Sequence, residues 1–170
     1  MLTVYTDMCA DLCHYGHFAF IDRMVDIATT IANGQTICIV IGIHSDATIR
    51  SYKRQPIMTM AERCRMIAYH HSVSRVLEDA PLSPTLSFVQ KYAIDLVCIG
   101  PRSDVEMSDM YGHLPPTMLH SIPYTTGIST TDLIRRVQSH RMCKDTLLDR
   151  ECETTDHMLD GGECGLDVFQ

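Results

Sequence analysis

Leu2 to Tyr5 is a short apolar run, followed by a polar, histidine-rich turn and then a stretch from about Ala19 to Ala32 with apolar residues at helical spacing. The first pattern predicts a buried strand and the last an amphipathic helix, which Asn33-Gly34 would end. Thr36 to Ile43 is apolar and β-branched, bounded by Gly34 and by His44-Ser45-Asp46, as expected of a strand buried on both faces of a parallel sheet. Strand, helix and strand make a βαβ unit. Thr59 predicts an N-cap for a helix over Met60 to His70, with Glu62 completing a capping box. Val73 to Leu77 predicts a third strand and Pro84 to Lys91 a short helix. Ile94 to Ile99 predicts a strand closed by Gly100-Pro101. Ser129 or Thr130 would cap a last helix from about Thr131 to Arg141, with Leu133, Ile134 and Val137 on one face.

Strands alternating with helices predict the α/β class: a Rossmann-like three-layer sandwich with a parallel sheet, formed as a single domain over residues 1–142. Beyond Cys143 the periodicity stops, and residues 143–170 read as an acidic, loosely ordered C-terminal tail. In such sheets ligands bind beyond the carboxyl ends of the strands, where the strand order reverses. The first strand-to-helix loop, carrying His14 to His17, belongs at that place.

Composition narrows the ligands. A chain of 170 residues with 45% hydrophobic content can bury one substantial core. Its net charge of −7 argues against broad attraction to nucleic acid or to an anionic membrane surface, so a phosphate ligand must be gripped locally. The eight cysteines form no CxxC pair and are scattered, which fits a reduced, cytoplasmic chain. No signal segment is expected, and the longest apolar run, Ile37 to Ile43, is far shorter than the roughly 20 residues of a membrane span.

Three segments could carry chemistry. His14-Tyr15-Gly16-His17 sets two imidazoles three residues apart around a glycine, at a predicted helix start where free N–H groups and the helix dipole favour phosphate. Gly127-Ile128-Ser129-Thr130-Thr131 offers hydroxyls at a second helix start, where a plain N-cap would need only one of them. Tyr52-Lys53-Arg54-Gln55-Pro56, followed by Glu62-Arg63, brings cations that could neutralise polyphosphate. A zinc reading of His-x-x-His lacks a second close Cys/His pair, so no metal ligands are assigned. Asp11 would either cap the first helix or orient a metal-bound triphosphate, and capping is the simpler role. His44, His70, His71, His113, His120 and His140 stand apart from these motifs and receive no role.

In this order and spacing, the HxGH segment after Val4 to Cys13, Lys53 with Pro56 to Thr59, Glu62-Arg63 and the GIST segment resemble the cytidylyltransferase family. The likeness covers residues 2–141 and is nearest to the ethanolamine-phosphate enzymes. It implies transfer of CMP from CTP to a small phosphorylated alcohol with release of pyrophosphate, Mg2+ accompanying CTP, and usually a homodimer. It makes His14, His17 and Lys53 catalytic. Cys9, Ala10, Gly16, Arg63, Gly100, Gly127, Ile128, Ser129 and Thr130 would hold the nucleotide, and Asp7 and Tyr124 the acceptor. Met8, Ala10, Pro101 and Tyr124 depart from the family's usual residues. Phosphoethanolamine is the preferred acceptor, with glycerol 3-phosphate and phosphocholine as alternatives. A non-catalytic nucleotide-binding module is the competing class.

Overall fold

The computed structural model describes residues 1–140. Five strands, β1 (Leu2–Met8), β2 (Ile37–Ile43), β3 (Arg75–Glu78), β4 (Leu96–Ile99) and β5 (Leu119–Ser121), pair in parallel in the order β3-β2-β1-β4-β5. The chain builds outward from β1 to β3, then returns to the other side of β1 to lay down β4 and β5. The strand order therefore reverses at β1, and the loop leaving β1 opens into the crevice where such sheets take ligands.

Side-chain alternation along the strands divides the core between two faces. Val4, Ile39 and Ile41 point to the face covered by α1 (Tyr15–Ala32) and α3 (Met60–Ala68), meeting Ile21, Met24, Cys64 and Ile67. Tyr5, Val40 and Val97 point to the opposite face, against Val89 of α4 (Leu86–Lys91) and Tyr111 of α5 (Asp104–Tyr111). Helix, sheet and helix are the three layers expected, and burial on both faces explains why β2 is apolar throughout.

Element boundaries follow local chemistry. Helix α1 begins at Tyr15, ahead of the expected Ala19, because the His14 side chain caps it; it ends at Asn33, whose φ of 45° is the left-handed turn anticipated there. Thr59 and Glu62 form the expected capping box on α3. Two α-helices and a strand escaped the sequence reading, as did a 3-10 turn at Pro116–Met118: α2 (Asp46–Tyr52), capped by Ser45; α5, capped by Ser103 and Glu106; and the three-residue β5. The helices are short, and α5 buries only Tyr111, so it carries no apolar stripe to read.

One compact unit spans Met1–Thr130, and a second begins at Thr131, helical over 131–140. The expected tail, 143–170, lies outside the described residues. No helix among the described residues is long and apolar enough to cross a membrane.

Candidate active site

The loop leaving β1 turns sharply, with Ala10 and Leu12 both at positive φ, 55° and 45°. Non-glycine residues adopt this conformation at a cost of roughly 1–2 kcal/mol each, so the surrounding structure must hold it. Two buried groups do so. The Asp11 carboxylate accepts from the backbone N–H of Ile57 (3.1 Å) and of Met58 (2.9 Å). Arg63 is fully buried: Nη1 donates to the Cys9 carbonyl (2.6 Å), Nη2 to the His44 carbonyl (2.9 Å) and Asp46 (2.6 Å), and Nε to the Met58 carbonyl (3.3 Å).

Both arrangements correct the sequence reading. Asp11 caps no helix of its own, since His14 does that, and instead staples the segment before α3 to the β1–α1 loop. Arg63, expected to hold triphosphate, spends four donor contacts on the protein itself, because its position on α3 points it inward beneath the loop rather than into the cleft.

Above this frame sit the two histidines. His14 Nδ1 accepts from the backbone N–H of Gly16 (3.1 Å), and His17 Nδ1 accepts from the backbone N–H of His14 (3.2 Å). Because each Nδ1 receives a proton, each neutral ring carries its own proton on Nε2. The ring centroids lie 4.1 Å apart. Burial, then the neighbouring His14 ring, and least of all the Lys53 ammonium depress the His17 pKa from 6.5 to about 4; burial also lowers His14. The pair is thus held uncharged, with N–H donors fixed at the positive end of α1.

The GIST segment packs directly on this turn. Gly127 has φ of 89°, and a Cβ there would also crowd the Tyr15 hydroxyl at 3.2 Å. Tyr15 donates to the Thr126 carbonyl (3.4 Å), and Thr130 Oγ1 donates to the Asp11 carbonyl (2.8 Å). A Cβ on Gly16 would stand 3.0 Å from the His14 ring and 3.1 Å from Ile128 Cγ2, which is why a glycine separates the imidazoles. Two motifs more than a hundred residues apart thus share one surface.

The remaining candidates divide. Lys53 ends α2 and is exposed, its ammonium 5.5 Å from the Tyr52 ring centroid. Cys9 contributes its carbonyl to the Arg63 clamp, and Gly100 lies just past β4, with Phe20 4.0 Å from where a Cβ would stand. Tyr124 is exposed and donates to the Ile128 carbonyl (3.4 Å), so it belongs to the GIST turn. Asp7 stands at the end of β1 with its side chain buried beside His44 Nε2 (3.4 Å) and the Tyr111 hydroxyl (3.4 Å). The sequence reading gave neither His44 nor Tyr111 a role, and both pack against Asp7. The one legible signal for His44 was its place directly after β2, at the edge of the crevice. No group of three or more His, Cys, Asp or Glu able to hold a metal gathers among the described residues.

The reversal at β1 and the paired histidines at the start of α1 define a parallel α/β domain that carries an HxGH turn. A family model described as cytidylyltransferase-like matches residues 5–136, and the chain belongs to that family. It is 28% identical over 142 residues to ethanolamine-phosphate cytidylyltransferase of Mus musculus, covering 81% of this chain and 33% of that protein. It is also 28% identical over 137 residues to choline-phosphate cytidylyltransferase A of Homo sapiens, covering 79% of this chain and 36% of that one. The chain thus spans about a third of the length of these relatives. Among solved structures, the lipopolysaccharide core biosynthesis protein of Thermoplasma volcanium shares the fold, with TM-score 0.56 at 17% identity over 75% of this chain and 99% of that one.

Proposed function

We propose that this domain transfers CMP from CTP to a small phosphorylated alcohol, phosphoethanolamine before others, releasing pyrophosphate. The observation that carries the reading is the pair of uncharged imidazoles whose Nδ1 atoms are both occupied by backbone N–H groups, leaving two Nε2–H donors at the start of α1. Such donors stabilise the negative charge that builds on the α-phosphate as the acceptor's phosphate attacks it in line. No enzyme nucleophile is required. The acceptor supplies the attacking oxygen, the bond between the α- and β-phosphates breaks, and pyrophosphate leaves with the electron pair. Fixed donors and alignment supply the rate.

In this reading Lys53 reaches the β- and γ-phosphates from the rim, and the GIST turn offers backbone N–H groups to the other side of the triphosphate, with the Thr130 hydroxyl anchoring that turn to Asp11. Arg63 and Asp11 contribute by fixing the loops. The described residues offer no cluster fit to hold a cation by themselves, so magnesium would enter on the oxygens of CTP. A chain without tryptophan has little material for the aromatic cage that a quaternary ammonium prefers, which favours phosphoethanolamine over phosphocholine.

The test is pyrophosphate release in magnesium, pairing CTP or ATP with phosphoethanolamine, phosphocholine and glycerol 3-phosphate. We expect release with CTP and phosphoethanolamine, reduced by about a hundredfold or more in His17→Ala. Silence with every pair would refute the assignment.

A further inference from the structure

Helix α1 carries more than the two histidines. Gly16, Phe20, Arg23 and Ile27 recur at helical spacing along one side of it, and that side faces the end of β4, β5 and the GIST segment. A Cβ on Gly16 would stand 3.1 Å from Ile128, a Cβ on Gly100 would stand 4.0 Å from Phe20, and Ile27 shares a groove with His120 of β5. Arg23 is the charged member of this row. Its Nη1 donates to the Pro123 carbonyl (2.9 Å) and to the Thr125 hydroxyl (3.1 Å), 100 and 102 residues further along the chain. Residues 122–129 form no helix or strand, so side-chain contacts of this kind set their path.

We propose that Arg23 is a positioning residue for the triphosphate: it fixes the GIST turn relative to the histidine turn and so sets how firmly CTP is held beyond its α-phosphate. The inference rests on the transferase reading of the same cleft and adds what aligns its two halves. Seven residues separate Gly16 from Arg23, which is about 10 Å of rigid helix. The GIST segment is thus pinned at two places, by Arg23 ahead of the turn and by Tyr15 and Thr130 at the turn and after it. Tyr124 lies between the two partners of Arg23, and its hydroxyl donates to the Ile128 carbonyl (3.4 Å), which ties the pinned stretch to the turn. Removing the guanidinium frees Pro123 to Thr125 and lets the turn's N–H groups drift from the phosphates they would meet. The α-phosphate, served by the histidines, loses nothing. An arginine suits this place because its planar fork fixes the direction of its bonds, which an ammonium on a flexible stem does less well.

The test measures Kd for CTP and for CMP, by titrating each nucleotide against the melting temperature, in the unaltered protein, Arg23→Gln, Arg23→Lys and Thr125→Val. Arg23→Gln is expected to raise the Kd for CTP about tenfold and to leave that for CMP within about twofold, since two bonds from a charged donor are lost on the triphosphate side alone. Arg23→Lys should recover part of the difference. Thr125→Val, which removes one acceptor at nearly constant volume, should raise the Kd for CTP about threefold in the parent and have no further effect once Arg23 is glutamine. A merely structural arginine would lower the melting temperature without separating the two nucleotides. Arg23→Gln values for CTP and CMP that stay at the parent's, or move in parallel, therefore overturn the proposal, as does a Thr125→Val effect that persists undiminished beside Arg23→Gln. If Arg23→Gln does not fold, Arg23→Lys and Thr125→Val decide by the same separation of CTP from CMP. A parent protein that binds no CTP would remove the transferase reading itself, whereas CTP binding that ignores all three variants removes only the role of Arg23.

Discussion

Replacing Arg63 by methionine tests whether this cation serves the ligand or the fold. The guanidinium is fully buried and donates to the carbonyls of Cys9, His44 and Met58 and to the carboxylate of Asp46. Methionine fills a similar volume and donates nothing. Each of the three carbonyls then loses a charged donor, at about 1 kcal/mol apiece. Asp46 keeps a third of its side chain in water, so its loss adds under about 1 kcal/mol. The total is roughly 3–4 kcal/mol, the range for breaking a buried pair and a large part of the roughly 5–15 kcal/mol that typically separates folded from unfolded. The assay is urea unfolding without ligand, alongside CTP binding followed by the rise in melting temperature. Lys53→Ala is the counterpart: we expect stability within about 0.5 kcal/mol of the parent but clearly weaker CTP binding. An Arg63→Met protein within about 1 kcal/mol of the parent that nonetheless loses CTP would refute the clamp and return Arg63 to the triphosphate.

Two shorter expectations follow from the histidine turn. Burial and His14 lower the His17 pKa to about 4 from 6.5, so as the pH falls the unfolded chain takes up a proton that the folded chain refuses. Stability is then complete above about pH 6.5 and falls as the pH drops towards about 4; urea midpoints between pH 7.5 and 5 should decline less in His17→Gln, and an equal slope would contradict the sign. Gly16→Ala places a methyl 3.0 Å from the His14 ring and 3.1 Å from Ile128, so it should cost about 1–3 kcal/mol of stability and about tenfold or more in kcat. Full turnover in that variant would show that the spacing of the imidazoles is not critical.

The sequence alone determined the class of fold and the two motifs. β2 is an unbroken apolar run because both its faces are covered, Thr59 and Glu62 announce α3 through local capping, and Asn33-Gly34 ends α1 through its tolerance of left-handed backbone; these effects act over a few residues and are written in residue type. His14 and His17 were legible for the same reason, being three apart on one turn. Tertiary structure decided what cannot be read from neighbours in the chain. Whether a cation such as Arg63 faces a cleft or the floor beneath it depends on how α3 docks on the sheet, and its partners are Cys9, His44 and Asp46, 17 to 54 positions away. His44 stands apart in the sequence because Asp7 and the Ala80 carbonyl reach it only once β1, β2 and β3 are assembled. The parallel sheet gathers the ends of strands that are remote in sequence, so the side chains that share the cleft's edge meet only after the fold has formed.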